Sequence, residues 1–222
     1  MKNESIILAS GSPRRRELLA WLGWDFSVRA VDIDETPLEG EDPQDYVCRL
    51  AASKAEAAVP LAENGSIILA ADTTVVHQGE IMGKPTDAAD ADAMLRRLRN
   101  QPHQVCSAFA LVSPATEAKQ AALCVSQVPM RDYSDEEIDD YVKSGDSLDK
   151  AGAYGIQNES FHPVEGFSGC FANVMGLPLC HLARSLRQFG LHTDVDIAAA
   201  CREHLNYECP ISQAVLQGQT LG

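Results

Sequence analysis

The chain has 222 residues and a mass of 24.0 kDa, a length that suits one α/β domain, or one domain split by a cleft. Hydrophobic residues make up 45% and charged residues 23%, which excludes wholesale disorder. With 18 Lys plus Arg against 32 Asp plus Glu the formal charge is −14, which weighs against sequence-neutral binding to nucleic acid but leaves room for a small anion in a local basic pocket.

No apolar run approaches the roughly 20 residues of a membrane helix. The apolar stretch in the N-terminal MKNESIILAS is too short for a signal peptide. The expectation is a cytoplasmic protein without a membrane partner. Seven cysteines, an odd number, read as free thiols rather than a disulfide framework. Cys201, His204 and Cys209 do not match a zinc site in count or spacing.

In chain order, Ser5–Ala9 reads as a strand, and Gly11, Ser12 and Pro13 as a tight turn. A helix follows from Arg14, with Leu18, Leu19 and Leu22 on one face and Gly23 as its stop. Phe26–Ala30 suits a strand, the acidic stretch 32–43 a loop, and Pro43–Ala58 a helix carrying Lys54. Ser66–Ala71 is an apolar strand expected to end at Asp72, and a hairpin is expected over Val75–His77 and Glu80–Met82. Asp87 caps a helix running to Leu98. Strands are expected over Val105–Val112 and Ala122–Val128. Ser134 and Glu137 form a capping box for a helix to about Lys143. The Gly-rich stretch 149–157 is irregular, and a last core helix spans Leu177–Phe189. Beyond Gly190 a short helix over Asp194–Leu205 precedes a mobile tail. Interleaved strands and helices predict an α/β fold with a mixed sheet. The expected division is a domain over 1–190 and an extension, partly helical or mobile, over 191–222.

Several residues carry candidate chemistry. Ser10-Gly11-Ser12-Pro13-Arg14-Arg15 joins a strand to a helix N-terminus, where backbone N–H groups, hydroxyls and guanidinium groups suit phosphate. Arginine in a first turn opposes the helix dipole, so helix stability alone would not choose it. Asp72 at a strand end could bind a divalent metal or serve as general base; the alternative is a turn-forming aspartate. Lys84 follows Gly83 in a turn that fails the P-loop spacing. The acidic loop Asp32-Ile33-Asp34-Glu35 suits Mg2+ or Mn2+, or is simply a solvated surface. In the stretch 149–157 small residues permit close backbone approach, and Gln157 could read a base edge by donating and accepting together. Together these groups form a kit for nucleotide phosphate chemistry.

The segments LASGSPRRRELL, DIDE, RLAASKA, ILAADTTVV, GKP and DKAGAYGIQ, in that order and spacing, resemble the Maf family of nucleoside triphosphate pyrophosphatases. The resemblance runs from about Ile6 to Phe189 and is strongest to the branch acting on dTTP and UTP. It implies a two-lobed α/β fold, related to the inosine triphosphate pyrophosphatases, with a central cleft between the lobes. It implies cleavage of a nucleoside triphosphate to the monophosphate and pyrophosphate with a divalent cation, and it leaves room for a homodimer. By motif match Asp72 is the proton acceptor. Ser10, Arg14, Arg15, Glu35, Lys54 and Lys84 match conserved polar cleft residues, and Arg14, Thr73 and Gln157 match positions that distinguish the dTTP/UTP branch. The chain departs from that branch at Asn158 and at Ser168-Gly169-Cys170-Phe171, and it matches again at Asn173 and Gly176-Leu177-Pro178-Leu179.

The combined expectation gives phosphate binding to Ser10, Ser12, Arg15, Lys54 and Lys84, and base selection to Arg14, Thr73 and Gln157. Glu35 and Asp72 would hold Mg2+ or Mn2+, and Asp72 would deprotonate the attacking water. The rival expectations are a non-catalytic nucleotide-binding regulator of cell division and a pyrophosphatase of different base preference. A carboxylate beside phosphates favours the enzyme.

Overall fold

The computed structural model describes residues 6–62 and 65–222, so the readings of the first five residues, including Ser5 of the first strand, lie outside the described residues. The sheet has six strands: β1 (Ile6–Leu8), β2 (Phe26–Val28), β3 (Ile67–His77), β4 (Glu80–Met82), β5 (Pro102–Ser113) and β6 (Ala118–Pro129). Their order is β2-β1-β3-β5-β6, with β4 beside the far end of β3. β1 lies parallel to β2 and β3, whereas β5 is antiparallel to both β3 and β6, which makes the sheet mixed.

Helices α1 (Pro13–Ala20), α5 (Phe171–Met175), α6 (Leu179–Gln188), α7 (Ile197–Leu205) and α8 (Ser212–Leu216) contribute to the core on one face of the sheet. Helix α2 (Pro43–Ala57) covers the other face with Val47, Ala51 and Ala55. The strand pleat sends alternate residues to opposite faces. Ile67, Leu69 and Ala71 therefore join the first core, and Ile68, Ala70 and Val76 the second. A third core forms a second lobe, where Val75, Val105 and Val128 at the far strand ends meet α3 (Ala88–Leu98) and α4 (Asp135–Lys143).

Local chemistry explains the helix starts. Asp87 caps α3, and Ser134 with Glu137 completes both halves of the capping box of α4.

Three expectations need correction. The strand does not stop at Asp72: β3 runs on to His77 and pairs with β5 from Ile68 to Val76. The β-branched run Thr73-Thr74-Val75-Val76 carries the ladder past the carboxylate, and the expected hairpin is present, its first arm Val75–His77 being the end of that long strand paired with β4. Helix α5, five residues long, was not expected. The tail read as mobile instead carries α8, which buries Val215 in the first core, and Arg184 Nη1 donates to the carbonyls of Val215 and Gln219.

Candidate active site

All ten residues expected at the site line one cavity of about 710 Å³ between the lobes. That volume lies in the ordinary range for small-molecule sites.

The turn between β1 and α1 forms one wall. Ser12 Oγ accepts from Arg15 N (3.4 Å) as the helix cap, and Pro13 occupies the first helical position. Ser10 Oγ accepts from Ser12 N (3.2 Å) and from Arg15 Nη1 (3.4 Å). Both lone pairs of Ser10 are thus occupied, and its O–H remains to donate, as a phosphate oxygen requires. Arg15 is held more tightly than a flexible phosphate ligand would be. Its Nε donates to Gly176 O (3.0 Å) and its Nη2 to Thr73 Oγ1 (3.1 Å). Burial lowers the Arg15 pKa, the Asp72 and Glu35 carboxylates oppose that shift, and Arg14 adds to it. Gly176 must be glycine: its φ is +114°, and a Cβ there would stand 3.3 Å from Thr73 Oγ1.

Helix α2 and β3 build the floor. Asp72 and Thr73 are neighbours on β3 and face opposite ways, Asp72 toward α2 and Thr73 toward α1 and α5. Lys54 Nζ lies 2.6 Å from Asp72 Oδ1 and 2.6 Å from Glu35 Oε1. The Lys54 and Asp72 side chains are 12% and 11% exposed, while Glu35 is 54% exposed. Lys54, expected simply as a phosphate ligand, therefore bridges the two carboxylates and keeps one of its three donors for another group. Tyr46 Oη donates to the Glu35 carbonyl (3.0 Å) and ties the acidic loop to α2. Burial, then the charges of Asp72 and Glu35, push the Tyr46 phenol pKa up.

Among the described residues no group of three or more His, Cys, Asp or Glu is arranged to hold a metal. Two carboxylates that meet at one ammonium nevertheless fit a hard divalent cation, which commonly takes one or two protein carboxylates and completes its shell with water and substrate phosphate.

The Gly-rich segment forms the remaining wall. Arg14 Nη1 reaches Asp149 Oδ2 at 3.6 Å. Lys150, nearly buried, donates to Asp146 Oδ1 (2.7 Å) and Asp149 Oδ1 (2.6 Å). Burial would raise the Asp149 pKa, but the Lys150 contact outweighs it and holds the carboxylate low. Asn158, one of the departures noted above, donates from Nδ2 to Asp146 Oδ2 (3.0 Å) and accepts from Phe161 N (2.8 Å), so it pins this loop. Gln157 and Lys84 are exposed at the rim.

Tyr46, Lys150 and Gly176 also line the cavity; Lys150 and Gly176 lay in matched segments with no role of their own assigned, and Tyr46 was not expected at the site.

The family described as Maf-like protein matches residues 5–189. A dTTP/UTP pyrophosphatase of Geobacter sp. (strain M21) is 49% identical over 190 residues, which cover 86% of this chain and 98% of the relative. A dTTP/UTP pyrophosphatase of Hahella chejuensis (strain KCTC 2396) is 46% identical over 188 residues, covering 84% of this chain and 92% of the relative. Among solved structures, a nucleoside-triphosphatase / dITP/XTP pyrophosphatase from Mycobacterium abscessus aligns at 15% identity with a TM-score of 0.42, over 83% of this chain and 94% of that one.

Proposed function

The chain belongs to the Maf-like family, and we propose that it hydrolyses dTTP and UTP to the monophosphate and pyrophosphate. The observation that carries this reading is the placement of Asp72, held by Lys54, on the floor of a cavity whose walls bear the donors Ser10, Arg15 and Lys84. A triphosphate brings about four negative charges, which a −14 protein can attract only through such a local cationic pocket.

In this reading Ser10 donates its free O–H to a phosphate oxygen, and Ser12 does the same from the capped turn. Arg15 offers the N–H groups left over from its contacts to Ser10, Thr73 and Gly176. Lys54 contributes its third donor, and Lys84 closes the rim. Asp72 accepts a proton from the attacking water at its carboxylate, and Lys54 holds that carboxylate in one orientation. Glu35 and Asp72 would hold the divalent cation, Mg2+ or Mn2+. When bound, that ion would polarise the phosphoryl oxygens and stabilise the pyrophosphate leaving group. Arg14, Thr73 and Gln157 face the base.

The relatives named for dTTP and UTP support the choice of substrate. A domain over 1–190, with 191–222 as an extension docked on it, completes the reading. A cytoplasmic location is part of it too, on the odd number of cysteines. No helix among the described residues is long and apolar enough to cross a membrane.

The test is pyrophosphate release from dTTP and UTP with Mg2+ or Mn2+, abolished by chelator. Release of inorganic phosphate with a nucleoside diphosphate would refute the assigned cleavage site.

A further inference from the structure

Thr73 differs from Ser10 in where its proton goes. Thr73 Oγ1 lies 2.8 Å from Ser107 Oγ, a contact in which either hydroxyl could donate. Ser107 Oγ lies 2.8 Å from the Asn173 carbonyl, which can only accept. Ser107 has a single proton, and the carbonyl takes it. The proton shared between the two hydroxyls must then come from Thr73. The other acceptor near Thr73 Oγ1 is the Gly176 carbonyl at 3.5 Å, a longer contact already served by Arg15 Nε. Arg15 Nη2, which can only donate, fills one Thr73 lone pair at 3.1 Å. One lone pair remains, and Thr73 lines the cavity.

We propose that Ser107, which does not reach the cavity, is a positioning residue that fixes the polarity of Thr73, so that Thr73 meets the substrate only as an acceptor and selects bases bearing a ring N–H donor. This rests on the function proposed above and deepens its base selection. Uracil and thymine carry an N3–H; cytosine carries a bare N3 acceptor, which would face the Thr73 lone pair. The arrangement is anchored beyond Ser107. Asn173 is fully buried, and its Nδ2 donates to Val105 O (3.1 Å) and to Ser126 Oγ (2.9 Å), which fixes the carbonyl that takes the Ser107 proton.

The substitution Ser107→Ala removes the acceptor of the Thr73 proton and lets the hydroxyl turn. The expected result is a rise in kcat/KM for CTP of about fivefold or more, with UTP within about threefold of wild type, since one hydrogen bond of typical strength is at stake. Ser107→Thr, which keeps a hydroxyl, should retain the wild-type ratio of UTP to CTP. A purely structural role for Ser107 would lower UTP and CTP together, and that outcome overturns the proposal. Should Ser107→Ala fail to fold, Thr73→Val supplies the second readout. It deletes the lone pair in nearly the same volume, so UTP should fall about tenfold while CTP does not. An equal fall for both substrates overturns the proposal as well. A wild-type protein that releases no pyrophosphate from UTP or dTTP refutes the function itself, a result told apart from failure of the polarity argument, in which the wild type is active and the ratios do not move.

Discussion

Replacing Lys54 with methionine should cost stability as well as activity. Nζ stands 2.6 Å from Asp72 Oδ1 and 2.6 Å from Glu35 Oε1. At an effective dielectric constant of about 20, one such contact represents roughly 6 kcal/mol of gross attraction. Most of that offsets the desolvation of two side chains that are each about nine-tenths buried. Glu35, half exposed, adds little. Removing one partner of a fully buried pair costs about 3–5 kcal/mol, and this pair opens onto a wet cavity, so about 2 kcal/mol is the expected loss. For a chain of this size that corresponds to a fall in Tm of roughly 4–8 °C. The assay is thermal and urea unfolding of wild type, Lys54→Met, Asp72→Asn and the double variant. The double variant should be less destabilised than the two single losses added together, because the methionine no longer strands a charge. Additive effects, or a Lys54→Met Tm within 1–2 °C of wild type, would show that the ammonium is not held between the carboxylates in the free protein.

Asp72→Asn should keep the fold and lower kcat by about 10²–10⁴, the usual cost of losing a general base; a near wild-type rate would remove Asp72 from the chemistry. The protein should lose stability on acidification. Burial, with the nearby His77, depresses His103 to about 3, and burial, with Arg184, depresses His181 to about 4. Unfolded histidine titrates near 6.5, so below that pH the unfolded chain binds protons that the native one refuses. Stability is therefore present above about pH 6.5 and falls toward pH 3–4, at up to about 1.4 kcal/mol per pH unit for each ring. Chemical denaturation of His103→Gln across pH 4–7 should show a shallower slope, and an unchanged slope would count against the buried neutral ring. Deleting 191–222 should lower Tm by roughly 5–10 °C, because Ile197, Cys201 and Val215 leave the first core together. A truncated chain as stable as the whole would mean that the extension contributes nothing to that core.

Much of the site was legible because its parts lie at punctuated junctions. Ser12-Pro13 announces a helix start, and Lys54 sits on the helix flanking Asp72. The ten residues expected at the site converge on one cavity, even though the strand around Asp72 was cut short. That error came from reading a charged residue as a terminator. A carboxylate inside a strand is tolerated when an ammonium from the neighbouring helix meets it, and a single strand cannot reveal that partner. The Thr73–Ser107–Asn173 chain was invisible for a related reason. Ser107 sits in an apolar run and looks like a small core residue; its importance lies in a cross-strand pairing with Thr73 that only the β3–β5 register creates. Helix α5 was missed because five residues carry too little periodicity to separate it from loop.

The long strands also have a mechanical consequence. β3, β5 and β6 run unbroken from the core of one lobe into that of the other, and β3 alone spans about 36 Å at the usual rise per residue. The lobes therefore share a spine and cannot hinge apart at a linker, so opening the cleft wide would mean bending three hydrogen-bonded strands at once. Asp72 and Thr73 ride on that spine and stay fixed relative to each other. Adjustment to a substrate falls to the parts outside it. Chief among them is the acidic loop bearing Glu35, fastened to α2 by the Tyr46 hydroxyl and by Arg49, whose Nη2 donates to Thr36 O at 3.2 Å. Asp72 thus stands on the part of the site that the sheet holds, and Glu35 on a loop tied to it from outside the sheet.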